Sequence, residues 1–161
     1  YYASRGLGDV YKRQVSDSFM PGCIYEMPAT TVGEIARHLA EVMGISGLRI
    51  VGDPNMEVTR AAVVFHFLGT EMDHMGIDFV DKHDVQVIIP GETVDWTVVE
   101  YVQDALALGK KRALLTPGHF NWEEPGMAYM AEWLPTVIGE EVPVKFIQSG
   151  NQYRWVDAEK K

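Results

Sequence analysis

Two short apolar runs constrain the fold more than any other feature of this sequence. Residues 84–89 and residues 112–115 are rich in Val, Ile and Leu, and each run leads to a Pro-Gly pair. Such runs predict buried strands that end at a turn. Between them, residues 94–108 have apolar side chains at helical spacing. A strand, a helix and a second strand in this order favour a layered α/β sheet with parallel strands in its centre.

The other segments extend this sheet in both directions. Thr31 and Glu34 form a capping-box pattern before a run of helical spacing, which predicts a helix that Gly44 ends. The rest of the chain predicts strands at residues 48–51, 59–68, 142–148 and 152–156, a loop or short helix at 69–76, and a helix at 121–134. The order α-β-β-β-α-β-α-β-β predicts a mixed sheet with antiparallel strands at its edges.

The charge of the chain argues against two classes of partner. The sequence holds 23 acidic and 14 basic residues, for a formal net charge of −9, whereas phosphate contacts need clustered Lys and Arg. We therefore predict that neither nucleic acid nor an anionic membrane is a partner, and no apolar stretch reaches the length of a bilayer span. Cys23 is the single cysteine, so no internal disulfide can form, and the cytoplasm is the expected compartment.

The first residues differ from the rest of the sequence. Residues 1–14 mix Gly, Arg, Tyr and Lys without a period, and residues 6–14 resemble a translated sequencing adapter. We interpret residues 1–14 as a non-native or disordered leader and leave them out of the fold. Residues 15–161 are then predicted to form a single α/β domain, and we expect that a part of the protein upstream of it is missing.

Ionisable residues follow both of the buried strands. Glu92 follows the first strand after a Pro-Gly pair, and His119 follows the second in the same way. If the strands are neighbours, Glu92 and His119 face one crevice, because functional groups collect at the carboxyl ends of strands in open α/β sheets. Glu123 lies four residues after His119, on the same face of a helix. An imidazole and a carboxylate are common ligands of zinc, iron, manganese and nickel, although such a pair is also common on helix surfaces.

The remaining histidines have weaker claims to a function. His66 lies inside an apolar segment, where a hydrogen-bonded core histidine is a better interpretation than a ligand. Asp73 and His74 could bind a metal, but their polar surroundings are typical of a solvated loop. His38 fits the polar face of the first helix, and His83 fits an exposed strand start. The sequence shows neither a Ser-His-Asp grouping nor a phosphate-binding glycine loop.

The segment that contains these strands resembles the NIF-three-like family. That family shows an apolar strand ending in Gly-Glu, a helix, another strand, and then Gly-His with a Glu four residues later. Here these features stand at residues 85–92, residues 112–119 and Glu123. The resemblance covers roughly residues 21–156, and it implies a NIF-three-like fold of which this chain holds the C-terminal part.

The resemblance also implies a function. Members of the family are described as hexameric proteins with a dinuclear metal centre and are often labelled GTP cyclohydrolase I type 2 homologs. By resemblance, His119 and Glu123 are ligands of divalent metal ions, and the chain forms a homo-oligomer. We expect Glu92 to be the catalytic residue, which orients a ligand or handles a proton. The family takes further ligands from a His-His pair and an Asp in its N-terminal half, and this chain has no His-His pair.

Two places depart from the family pattern. Trp96 stands four residues after Glu92, where the family often has a histidine. Residues 65–69 replace the Gly-rich turn that the family tends to have after its first core strand. We therefore interpret the chain as a divergent member whose dinuclear site is incomplete within this sequence.

Two functions of different kinds follow from these observations. The favoured hypothesis is a metal-binding protein. If the protein is an enzyme, we expect a metal-dependent hydrolase of a small molecule, in which paired ions lower the pKa of a bridging water. The alternative is a non-catalytic module that binds a protein or a regulatory ligand through Trp96, Trp122 and Trp133. A structural fragment without activity of its own is a third interpretation. The metal hypothesis requires the three predicted site residues to converge on one crevice.

Overall fold

The structure, a computed structural model, describes residues 13–15, 23–139, 141–150 and 153–154. Its strands are β1 Arg13–Val15, β2 Ile24–Thr31, β3 Arg49–Val51, β4 Glu57–Val63, β5 Val87–Ile89 and β6 Ala113–Thr116. Its helices are α1 Val32–Met43, α2 Glu71–Lys82, α3 Glu100–Ala107, α4 His119–Trp133 and α5 Pro135–Ile138. A π-helical turn, Asp95–Val99, runs directly into α3.

The six strands form one mixed sheet in the order β1-β2-β4-β5-β6-β3. The central strands β4, β5 and β6 are parallel to one another, with Ala62 opposite Ile88 and Ile88 opposite Leu114. The outer pairs β1–β2, β2–β4 and β3–β6 are antiparallel. The predicted sheet, parallel in its centre and antiparallel at its edges, is therefore confirmed.

Helices cover both faces of the sheet. Val87 and Ile89 of β5 pack in the cluster that contains the apolar face of α1, whereas Ile88 packs in the cluster that contains residues of α2 and α3. Successive side chains of a strand point to opposite faces, so a strand buried on both faces must be apolar at every position. This requirement explains the unbroken apolar runs in the sequence.

The first helix begins and ends where the sequence predicts. The Thr31 hydroxyl accepts a hydrogen bond from the backbone N–H of Glu34 at 3.2 Å, and the Glu34 carboxylate accepts one from the Thr31 N–H at 2.9 Å. This capping box satisfies two backbone donors that the helix leaves without partners. Gly44 follows the last residue of α1 in the left-handed conformation. No helix in the described part of the chain is both long and apolar enough to cross a membrane.

Two sequence-based element assignments are wrong, and a third, which allowed a short helix, is too short. The strand predicted to reach residue 68 ends at Val63, and the loop or short helix at 69–76 is the first half of α2. The predicted strand at 142–148 pairs with no strand of the described residues, and Val142 and Ile147 are exposed. The apolar residues of this segment are mostly exposed, so their pattern does not indicate a buried strand.

Two predicted segments fall largely outside the described residues. The strand at 152–156 is described only at Tyr153 and Arg154. Of the predicted leader at 1–14, the structure describes Arg13 and Gln14, which pair with β2 as part of β1.

A buried arginine joins the sheet to α2. Arg112 precedes β6 and is 3% exposed. Its Nη1 and Nη2 groups donate to the carboxylates of Asp84 and Asp81, each at 3.0 Å. Burial alone would lower the pKa of Arg112, but hydrogen bonds with Tyr101, Asp84 and Asp81 outweigh it and raise that pKa. The guanidinium therefore stays charged, and at neutral pH it is paired with both carboxylates.

Removing a central side chain of the sheet should destabilise the whole fold. Ile88 is fully buried in β5, so Ile88→Ala should lower the free energy of unfolding by about 2–5 kcal/mol through lost burial and a residual cavity. Ile147→Ala is the matched control, since Ile147 is 86% exposed and should change stability by less than about 0.5 kcal/mol. Urea unfolding followed by circular dichroism measures both, and equal effects would contradict the sheet assignment.

Candidate metal centre

Three ionisable side chains follow the parallel strands at the same offset. The last residues of β4, β5 and β6 are numbers 63, 89 and 116. His66, Glu92 and His119 each lie three positions further along the chain. Because the three strands are parallel neighbours, equal offsets bring these side chains to one edge of the sheet, where open α/β folds place their sites.

Backbone hydrogen bonds hold the first two of these loops together. The N–H of Phe67 donates to the carbonyl of Glu92 at 2.9 Å, and the N–H of Val94 donates to the carbonyl of Phe67 at 2.9 Å. Phe67 and Thr93 thereby form an isolated parallel bridge beyond the ends of β4 and β5. The position of His66 relative to Glu92 is thus fixed by main-chain contacts next to both residues.

Glu92 and His119 are joined by a short hydrogen bond. The Nδ1 atom of His119 lies 2.9 Å from Oε2 of Glu92, and both side chains are partly exposed. This bond, supported by the charges of Glu123 and Glu92, raises the pKa of His119 above its ordinary value and outweighs the opposing effect of burial. A carboxylate acceptor requires the proton on Nδ1, so Nε2 of the neutral ring carries the free lone pair.

Glu123 faces that second nitrogen. Its Oε1 atom lies 3.3 Å from Nε2 of His119, one helical turn away on α4. Charge-assisted N–H···O bonds are usually shorter, at about 2.7–2.9 Å. Two donors that share a tetrahedral zinc at bond lengths of about 2.0–2.2 Å lie about 3.4 Å apart. The separation of this pair therefore fits two ligands of one ion.

A third candidate ligand, which the sequence did not single out, lies beside this pair. The imidazoles of His66 and His119 stack with centroids 4.3 Å apart and planes 9° from parallel. Donor atoms of His66, His119 and Glu123 all lie within 4.8 Å of one another. Within the described residues, these three form the one group of His, Cys, Asp or Glu side chains whose donor atoms could hold a metal ion.

His66 fits closely between two neighbours. A Cβ atom on Gly91 would lie 2.5 Å from Cε1 of His66 and 3.1 Å from Cδ2 of Trp122, so only glycine leaves room for the imidazole. The Nδ1 atom of His66 is buried and has no hydrogen-bond partner among the described residues. The expectation that His66 lies within a strand is wrong, since it lies in the loop after β4.

A pocket opens next to the His119 side chain. It has a volume of about 340 Å³, and its walls include Arg49, Glu92, His119 and Tyr153. Gly118 turns the chain into this wall with a φ of 99°, which side-chain-bearing residues rarely adopt. The volume lies in the range of small-molecule sites.

Two other sequence candidates lie away from this edge. Asp73 is not in a solvated loop, because it is buried on α2 and its carboxylate accepts the backbone N–H groups of Leu68 and Gly69. Trp96, at the position where the family often has a histidine, is 72% exposed and lies against Gly69. Neither side chain belongs to the candidate centre.

The sequence contained one signal for His66. The apolar run from residue 59 to 68 hid the end of β4, because Val64 and Phe67 remain buried after the strand has ended. With the strand ending at residue 63, His66 takes the same offset as Glu92 and His119. Equal offsets after parallel strands are the pattern that could have identified it.

Comparison with known proteins identifies the family. The model of Duf34/NIF3 (NGG1p interacting factor 3) matches residues 18–152, which is most of the chain. This chain belongs to the Duf34/NIF3 family. No curated protein matches the chain.

Solved structures share the fold of this Duf34/NIF3 chain. A protein related to NIF3 from Bacillus cereus has 19% sequence identity and a TM-score of 0.59, over 83% of this chain and 35% of that one. Protein ybgI, of unknown function, has 20% identity and a TM-score of 0.63, over 91% and 53% of the two chains. TTHA1606 from Thermus thermophilus has 16% identity and a TM-score of 0.57, over 85% and 49%. The chain thus spans about a third to a half of these proteins, and the likeness shows the fold.

The Glu92 contact should be visible in the titration of His119. In the metal-free protein, the pKa of His119 should lie above the ordinary histidine value, and Glu92→Gln should lower it by removing the charged acceptor. Long-range ¹H–¹⁵N NMR of the histidine rings measures this, with Glu71→Gln on α2 as the control. Because the folded-state pKa is raised, the contact stabilises the fold at low pH, and the stabilisation is lost as the pH rises through that pKa.

Proposed function

We propose that this chain binds divalent metal ions through His119 and Glu123, with zinc, iron, manganese or nickel as the ion. The observation that carries this proposal is the hydrogen bond of Nδ1 of His119 to Glu92 at 2.9 Å. Metal-ligating histidines almost always donate their other ring N–H to a carboxylate, a carbonyl or a water, which fixes the tautomer and aims the ligating nitrogen. Here that nitrogen faces the Glu123 carboxylate at 3.3 Å.

The donor set fits a divalent ion. A neutral imidazole and a carboxylate suit the borderline cations named above. Glu123 lies in the second turn of α4, one helical turn after His119, so both side chains can reach a common ion. Both side chains are partly exposed, which leaves space for water and for a substrate.

We further propose that the bound metal serves hydrolysis of a small molecule, in line with the label of GTP cyclohydrolase I type 2 homolog that the resemblance supplies. A divalent ion lowers the pKa of a coordinated water towards neutrality. In this proposal Glu92 is the catalytic residue, because it orients His119 and also lines the pocket, where its carboxylate can accept a proton. The pocket of about 340 Å³ receives the substrate. The proposed compartment is the cytoplasm.

The alternative, a non-catalytic interaction module, has less support at this site. That hypothesis predicts that His119 points into the core and donates a hydrogen bond to a backbone carbonyl. Instead, His119 lies at the surface between two carboxylates. The exposed aromatic residues Trp96 and Trp133 remain available for association, and they are compatible with a metal-binding protein that forms oligomers.

Removing either proposed ligand should abolish metal uptake. After zinc loading and removal of free ion, His119→Ala and Glu123→Ala should each lose metal in elemental analysis of the purified chain. His74→Ala is the matched control, because His74 is an exposed histidine on α2 that does not belong to the candidate centre. Unchanged metal content in both ligand variants would refute the proposal.

We also propose that copies of the chain associate, as the family resemblance implies. Several large apolar side chains of α4 and α5 are exposed: Phe120, Met127, Trp133, Val137 and Ile138. An apolar surface of this kind is typical of interfaces.

Light scattering should therefore give a mass of more than one chain. Val137→Glu should lower that mass by placing a charge in the interface. Leu108→Glu, at an exposed leucine after α3, should leave it unchanged. A wild-type mass of one chain would contradict the proposal.

A further inference from the structure

His66 is close to the proposed ligands although it comes from a different strand. It follows β4, whereas His119 and Glu123 lie on α4 after β6. We propose that His66 is an additional metal ligand, which holds a second ion beside the one bound by His119 and Glu123. This inference rests on the proposed metal binding and adds a residue that the family resemblance does not assign, since residues 65–69 stand in place of the family's Gly-rich turn.

The stacking of the two rings points to two ion positions. The lone pair of an imidazole nitrogen lies in the plane of the ring, so a metal ion binds in that plane. The rings of His66 and His119 are 9° from parallel, and their centroids are 4.3 Å apart. One ion cannot lie in both planes, but two ions can lie side by side, one in each. The ions of two-metal sites are about 3.5–4 Å apart, close to the separation of these rings.

The carboxylates around the rings can balance the charge of two ions. Glu123 lies beside both imidazoles: its Oε1 atom is 3.3 Å from Nε2 of His119, and donor atoms of Glu123 and His66 lie within 4.8 Å of one another. A carboxylate has two oxygens and can serve one ion with each. Glu92 adds a second negative charge through its bond to His119. Two imidazoles and the Glu123 carboxylate form a mixed nitrogen and oxygen donor set for divalent cations, and Glu92 adds charge beside it.

The buried Nδ1 atom of His66 also favours a role as a metal ligand over a role in packing alone. Its Nδ1 atom is buried without a hydrogen-bond partner among the described residues. Buried polar atoms in native proteins nearly always have a partner, and an ion or a water is a usual explanation for one that lacks it. The glycine at position 91 leaves room for the ring, and Trp122 packs against it at 5.3 Å between centroids. The imidazole is therefore held in place before any ion binds.

The inference predicts a loss of one ion when the His66 nitrogens are removed. His66→Phe keeps an aromatic ring for stacking, and His66→Asn fits easily beside Gly91. Metal-stripped chain is loaded with zinc, dialysed and measured by elemental analysis, with circular dichroism to verify folding. The wild type should hold two ions per chain and both variants one, and His74→Asn on α2 should retain two.

The outcomes separate this inference from the proposed function. A wild-type chain that binds no metal refutes the proposed function. Either of two results overturns the His66 inference and leaves the proposed function standing. In the first, His119→Ala loses its metal but both His66 variants keep two ions. In the second, the wild type binds a single ion.

A measurement on the wild type covers the case in which neither His66 variant folds. Long-range ¹H–¹⁵N spectra recorded during zinc titration should show that the ring nitrogen resonances of His66 and His119 shift, whereas those of His74 stay in place. Shifts confined to His119 would overturn the inference.

Discussion

The parallel hydrogen bonding of β4, β5 and β6 is the constraint on which the candidate centre depends. β5 has three residues, Val87, Ile88 and Ile89, and all are buried between the neighbouring strands and the two helical layers. Parallel strands in register end at the same edge of a sheet. His66, Glu92 and His119 can meet because each lies three residues after the end of its own strand.

The electrostatics of the centre follow from this placement. Two carboxylates approach one imidazole from its two nitrogen sides, so the histidine is held in one orientation even without an ion. Their negative charges favour a cation between them, whether it is a proton or a metal ion. A metal ion bound as proposed would therefore compete with a proton for the same imidazole nitrogen and displace it.

The sequence contained enough to predict the sheet and two strand exits. The buried strands before Glu92 and His119 are continuous apolar runs ended by Pro-Gly, a pattern that reports both burial and the turn. The end of β4 carries no such marker, because Val64 and Phe67 continue the apolar run in the loop. A hydrophobic pattern reports burial and not hydrogen bonding. The sequence therefore predicts a strand that continues beyond Val63 and places His66 in the core.

The second helix shows another limit of sequence patterns. α2 has few apolar residues and buries only Asp73, Gly76, Phe79 and Val80. The Asp73 carboxylate binds the backbone of the preceding loop, which anchors the N-terminal end of the helix. Local apolar spacing therefore gave a weak signal. The contribution of Gly76, which lets Phe67 pack against the helix backbone, is a tertiary contact that no local pattern contains.

Because α4 is barely buried against the rest of the structure, a bound ion would help to hold the helix in place. Of the fifteen residues of this helix, Asn121 alone is buried. The helix nevertheless carries both proposed ligands, and His66 belongs to the sheet side of the structure. An ion held jointly by His66 and Glu123 would cross-link α4 to the sheet. Occupancy of that position and docking of the helix would then be thermodynamically linked, so that removal of this ion by a chelator would weaken the attachment of α4 to the sheet.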